Sequence, residues 1–316
     1  MVINIYAYMD IVMLGHSSSG KTTYMAALYY RMTNGLYDYK MRYDQWGNYW
    51  YKRYTQNNKN YTILEAEKEE KDLERTSLNV SKGIYPPPTA IKQEYVFKMQ
   101  YKNFNEIAFN WFDYRGGALM ERSSQSTDTA SLISKIRNSD ALIVFLDGTK
   151  LEEPLSQNER EFKRLVYLIK NVISNVYVEE RRYFPISFVI TKEDLCTNVL
   201  ESEGFDFFWD NILNDINQSN KIASLITWAT INNEHIYNVH WPLFFSIKHC
   251  MHKFANEVFS SYQRREKDRG VFGSIKEFFT DEDKNATMRA INELQKREQT
   301  LAQILNAEDK KCLYLI

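Results

Sequence analysis

Near the start of the chain, Gly15-His16-Ser17-Ser18-Ser19-Gly20-Lys21-Thr22 sets two glycines, a lysine and a hydroxyl at the spacing G-x-x-x-x-G-K-[ST]. Residues of these types in this order bind phosphate. The glycines let the backbone bend back so that successive N–H groups, and the positive end of a following helix, converge on anionic oxygens. Lys21 adds a point charge for the β- and γ-phosphates, and the Thr22 hydroxyl can enter the shell of a magnesium ion. The flanks agree with this chemistry. Asp10 to Leu14 is a short apolar run that predicts a buried strand, and Thr23 to Tyr30 has no breaker until Gly35, which predicts a helix starting inside the motif.

Three further stretches carry chemistry at the ends of predicted strands, where ligands bind in open α/β sheets. Asp113-x-x-Gly116 offers a carboxylate for a metal and a glycine N–H for a γ-phosphate. Thr191-Lys192-x-Asp194 offers a carboxylate able to accept both N1–H and N2–H of guanine, with the Lys192 stem against the ring; adenine has no such paired donors. Pro88-Thr89 brings a hydroxyl and a carbonyl toward the metal from a segment that can order or melt.

Elements that could position these groups follow in order. Tyr39 to Tyr61 is crowded with Tyr, Trp, Lys, Arg and Asn, and Ile63 to Arg75 is a charge-rich helical run, so residues 36–82 are expected to form an inserted lobe. Tyr85-Pro86-Pro87-Pro88 is a rigid extended segment. Gln93 to Tyr101 and Glu106 to Phe112 predict two strands that so short a turn makes antiparallel neighbours. Ala141 to Leu146 and Pro185 to Thr191 are continuous apolar runs expected of strands covered on both faces, separated by an amphipathic helix over Gln157 to Tyr177. Phe205 to Ile216 predicts a helix, Trp241 to Ser246 a last strand, and His249 to Arg265 a helix. The fold class expected is therefore α/β: a three-layer, mostly parallel sheet with one antiparallel edge strand, spanning 1–265, followed by a C-terminal helical extension over 266–316 that includes a long helix from Asp281 to Glu308.

Composition narrows the function. Forty Lys and Arg against 41 Asp and Glu give no general attraction to nucleic acid or an acidic membrane. Three dispersed cysteines have no disulfide or metal-ligand spacing. No apolar run approaches the ~20 residues of a bilayer span, and the start of the chain has no signal-peptide pattern, so a soluble, cytoplasmic protein is expected. The C-terminal extension is expected to pack or bind a partner; its polar face lacks the Lys and Arg of a membrane-surface helix.

Taken in order, Gly15 to Thr22, Thr89, Asp113 to Gly116 and Thr191 to Asp194 resemble the motifs of the Ras-like, translation-factor-related GTPases (the TRAFAC class). The resemblance covers Asp10 to about Arg265 outside the lobe, and its longer spacings match a divergent, bacterial branch. It implies a P-loop GTPase fold, GTP and GDP with Mg²⁺ as ligands, Thr22, Thr89 and Asp113 on the metal, and an effector together with a GTPase-activating partner. It also implies a guanine-reading loop after the last strand, best matched by Ser246-Ile247-Lys248, where Ile247 replaces the usual alanine. One departure bears on rate. The position after Gly116, where the family has a water-orienting glutamine, is Gly117, and Ser17 replaces a glycine beside the γ-phosphate. Slow hydrolysis is expected, with Arg115, Gln125 or a partner residue as substitutes. Two alternatives stay open: a non-hydrolysing GTPase-like scaffold, and a P-loop ATPase, against which Asp194 speaks.

Overall fold

A computed structural model describes residues 9–34, 39–43, 63–88, 93–101, 107–114, 127–180, 183–217, 222–271, 288–289, 291–299, 301–302 and 312–315. The strands are β1 (Met9–Gly15), β2 (Tyr39–Tyr43), β3 (Gln93–Tyr101), β4 (Ile107–Asp113), β5 (Ala141–Asp147), β6 (Phe184–Thr191), β7 (Ile222–Ile231), β8 (Ile236–Tyr237) and β9 (Cys312–Leu315). The helices used below are α1 (Lys21–Thr33), α2 (Ile63–Val80), α3 (Thr127–Asn138), α4 (Gly148–Glu152), α5 (Leu155–Glu180), α6 (Glu203–Phe208) and α7 (Trp241–Val271).

The strands form one sheet in the order β2-β3-β4-β1-β5-β6-β7-β8, with β9 also on β7. β4, β1, β5, β6 and β7 run parallel. β3 is the expected antiparallel neighbour of β4, and β2, β8 and β9 are further antiparallel additions. The parallel strands are buried along almost their whole length, which is why they read as continuous apolar runs without alternation. Helices cover both faces. Met9, Ile11 and Met13 of β1 pack toward α1, α2 and α7, while Val12 and Leu14 pack with α3, α5 and α6. The result is a three-layer α/β fold. β4 lies on one side of β1 and β5 on the other, so chain progression reverses about β1, the strand that leads into the phosphate-loop motif.

The sheet corrects one expectation. Trp241 to Ser246 is not a strand but the first turns of α7, and the last parallel strand is β7, for which no element was expected. Pro242 explains the difference: it has no N–H to give a ladder but fits the first turn of a helix, and the Ser246 hydroxyl donates back to its carbonyl at 2.7 Å.

α2 lies within the expected lobe region, and its Leu73 and Val80 join the core cluster that contains α1. α7 continues through position 265 to Val271. Beyond it, residues 291–299 are helical, Leu294 and Leu301 enter the same core, and Cys312–Leu315 pairs with β7. Among the described residues no helix is long and apolar enough to cross a membrane.

Candidate functional site

The phosphate-loop residues connect β1 to α1. Gly15 ends the strand, where an added Cβ would lie 2.6 Å from Ser19 Oγ and 2.8 Å from the Phe145 carbonyl, so only glycine fits. The loop closes through Ser19 N–H donating to the His16 carbonyl at 3.2 Å, and Ser18 (φ 65°) and Gly20 (φ 82°) adopt left-handed conformations. Such backbone aims successive amides into one concavity, at the N-terminus of a 13-residue helix whose axis adds positive potential. Lys21 is buried and donates to the carbonyls of Gly15 at 3.0 Å and His16 at 3.1 Å. Burial pushes its ammonium pKa down, and Asp113 opposes that shift.

Asp113, at the end of β4, is wholly buried and accepts a hydrogen bond from Thr22 Oγ1 at 2.8 Å. A hydroxyl and a carboxylate 91 residues apart in sequence thus meet beside the loop. Hard divalent cations prefer oxygen donors of this kind, and magnesium typically takes one or two from protein and the rest from water and phosphate. Among the described residues no three His, Cys, Asp or Glu converge on a site of their own. Thr22 and Asp113 fit a metal that takes part of its shell from a phosphate ligand.

The end of β6 supplies the opposite side. Thr191 Oγ1 donates to the Ser19 carbonyl at 3.0 Å and lies 3.2 Å from the Leu146 carbonyl, tying the strand to the loop. Lys192 takes a left-handed conformation (φ 58°) and starts a short 3₁₀ turn, Glu193–Leu195. Asp194 on that turn is exposed and accepts from Asn232 Nδ2 at 3.1 Å, while Glu193 accepts from the Thr230 hydroxyl. The 3₁₀ turn is thereby joined to the end of β7.

A cavity of about 420 Å³ opens between these groups. Ser17, Ser18, Gly20, Lys21, Thr22 and Thr23 line one end, and Thr191, Lys192 and Asp194 line the other. His16 and Ser19 belong to the loop, with Ser19 buried beneath it. Ser246 and Ile247 do not join the site: both are fully buried within α7. The chain segment that follows the last parallel strand is 232–235, where Asn232 Oδ1 accepts from the backbone N–H of Glu234 and His235 at 3.0 and 2.8 Å. Thr89, Arg115, Gly116, Gly117 and Gln125 lie outside the described residues.

Several lining residues other than Pro88 had no assigned task from sequence. Tyr85 and the three prolines after it form one wall, and the Tyr85 hydroxyl donates to the Ile231 carbonyl at 3.1 Å. Partial burial and then the charge of Asp194 push the Tyr85 pKa up. The signal available was the rigidity of the proline run itself. Leu195, Ala229 and Ile231 make the same end apolar. Cys196 follows the 3₁₀ turn, its thiol donating to the Lys192 carbonyl at 3.2 Å; burial, then the carboxylates of Glu152, Asp147, Asp194 and Glu193, push it up to about 11, which favours the protonated thiol.

No protein-family model matches the chain, and no curated protein matches it. Among solved structures, it is similar to a chain of the signal recognition particle receptor SRb-GTP/SRX complex from Chaetomium thermophilum, at 10% identity over 71% of this chain and 91% of that chain, with a TM-score of 0.37. It is also similar to a chain of an oligomerised bacterial dynamin pair described as sensing and tethering membranes, at 12% identity over 96% of this chain and 42% of that one, with a TM-score of 0.31.

Proposed function

We propose that the chain is a guanine-nucleotide-binding switch of the Ras-like type, from a divergent branch, which hydrolyses GTP slowly with the help of Mg²⁺. The observation that carries this reading is the convergence of two separate sequence stretches, at the ends of β1 and β6, on the rim of one cavity with an anion-binding end and an apolar end that carries a carboxylate, while Asp113 from the end of β4 bonds to the lining residue Thr22. In this reading the loop amides and Lys21 hold the β- and γ-phosphates. Thr22 and Thr89 would hold the metal, with Asp113 supporting it from beside Thr22. A magnesium ion, when bound, neutralises phosphate charge. Asp194 accepts from N1–H and N2–H of guanine with the Lys192 stem against the ring, which selects GTP over ATP. The chemistry is in-line attack of water on the γ-phosphate, for which this chain supplies positioning and electrostatics.

Gly117 has no side chain to orient that water. Unassisted turnover is therefore expected at about 10⁻⁴ to 10⁻² s⁻¹, the range of GTPases without full assistance. A single-turnover assay measures it, with hydrogen exchange of peptides spanning Thr89 and Tyr114 to Ser126 compared between GDP and a non-hydrolysable GTP analogue. Turnover near 10 s⁻¹ in the isolated chain would show that an internal group such as Arg115 or Gln125 does the work of the glutamine. Identical exchange in both states would favour the second reading, a non-hydrolysing GTPase-like scaffold, which Gly117 already supports.

A further inference from the structure

Asp147 ends β5 in register with Thr191 of β6, and no step of the proposed chemistry uses it. Its two carboxylate oxygens have separate tasks. Oδ1 accepts from Thr149 N–H at 3.1 Å and Thr149 Oγ1 at 2.7 Å, capping α4, while Oδ2 accepts from the Lys192 ammonium. The cap fixes the carboxylate, so the lysine is tied to a stationary post.

The surroundings bring the two strand ends unusually close. A Cβ at Gly148 would lie 2.7 Å from the Thr191 carbonyl and 2.8 Å from Cys196 Sγ, so Asp147-Gly148 can pass behind Lys192 only because residue 148 is glycine. Lys192 itself is held in a left-handed conformation that a residue with a Cβ adopts at a cost. Its carbonyl accepts from Leu195 N–H at 3.0 Å and from the Cys196 thiol at 3.2 Å. Backbone and side chain are thus restrained together, and the stem between them lines the cavity beside Asp194.

The lysine side chain is 35% exposed and the aspartate 14%. A pair so open to water adds little to stability. Its consequence is geometric: a stem with four rotatable bonds that is already ordered need not be ordered by a ligand. We propose that Asp147 is a positioning residue for the base end of the cavity, anchoring the Lys192 ammonium so that the lysine stem stands as a fixed wall for a purine. The proposal rests on the guanine-nucleotide reading above.

Asp147→Asn separates this role from the cap, because asparagine caps a helix as well as aspartate does but carries no charge. In the full chain, affinity for fluorescent GDP is expected to fall about three- to tenfold, the effect of freeing one long side chain. Competition by inorganic tripolyphosphate, which has no base, should be unchanged, and melting curves should overlay. In a Lys192→Ala background the substitution should have no further effect. Equal losses for GDP and tripolyphosphate, or wild-type GDP affinity in Asp147→Asn while Lys192→Ala weakens it, would overturn the proposal and leave the nucleotide reading intact. Wild-type GDP affinity in Lys192→Ala would overturn the proposal together with the reading of the base wall.

Discussion

The two ends of the cavity are built in different ways. The phosphate end is contiguous: Gly15 to Thr23 supply its loop and first helical turn, with Ser19 and Lys21 buried, and a single distant residue, Asp113, meets it through Thr22. The base end is dispersed and open. Asp194 is exposed on a three-residue turn, and its neighbours come from the ends of β5, β6 and β7 and from the proline segment. Local sequence can make an anion site because backbone amides do the binding. A site that distinguishes bases needs side chains from several strands, each placed by contacts that no short motif contains.

The sharpest way to break this contrast is Asp194→Asn. On the reading above it removes two charge-assisted bonds to guanine, each worth roughly 1.5–3 kcal/mol, so GDP affinity should fall by about a hundredfold or more while preference moves toward xanthine nucleotides. Competition between GDP and XDP measures it; an unchanged ratio would remove Asp194 from the base end. Lys21→Ala comes next. It should weaken every nucleoside triphosphate alike, by about 1.5–3 kcal/mol or tenfold to a hundredfold, in a protein that still melts cooperatively. A loss confined to guanine nucleotides would contradict the division of labour between the two ends.

The smallest effect lies away from both ends. His240 and His249 on the α7 side of the sheet are pushed down to about 3, by burial first, then by Arg31 for His240 and by Lys248 and His252 for His249. Both are uncharged when folded and free to charge when unfolded. The unfolded chain therefore binds more protons below pH 6.5, and stability is lost as the pH falls from 6.5 toward 3. Between pH 6.5 and 5.5 each histidine contributes a loss of about 1 kcal/mol. Urea unfolding of wild type and His249→Gln at the two pH values should differ by that amount. Equal pH dependence in the two proteins would show that His249 does not stay neutral in the fold.

The same contrast explains what was legible in the sequence. The phosphate end could be read from eight consecutive residues, and β1, β4, β5 and β6 from their apolar runs. Asp194 could be picked out, but not what holds it: its bond to Asn232 crosses 38 residues. β7 is hard to read because Ser224, Thr227 and Thr230 interrupt its apolar run; its signal is β-branched density at Ile222, Ile226, Thr227, Thr230 and Ile231. Trp241 to Ser246 reads as a strand in the sequence, though Pro242 marks a helix start. That exchange moved the expected guanine-reading loop from the end of β7 to the interior of a helix. Asp147 carried no sequence signal, because its task depends on the register of β5 with β6.

The central claim is that one cavity holds a guanine nucleotide, phosphates at Lys21 and base at Asp194. Calorimetric titration of the full chain with GDP, GTP and ATP in the presence of Mg²⁺ tests it most directly. The account predicts saturable binding of GDP and GTP, with ATP weaker by about a hundredfold or more, as expected when a carboxylate meets a base lacking both donors. Equal affinity for ATP and GTP would contradict it.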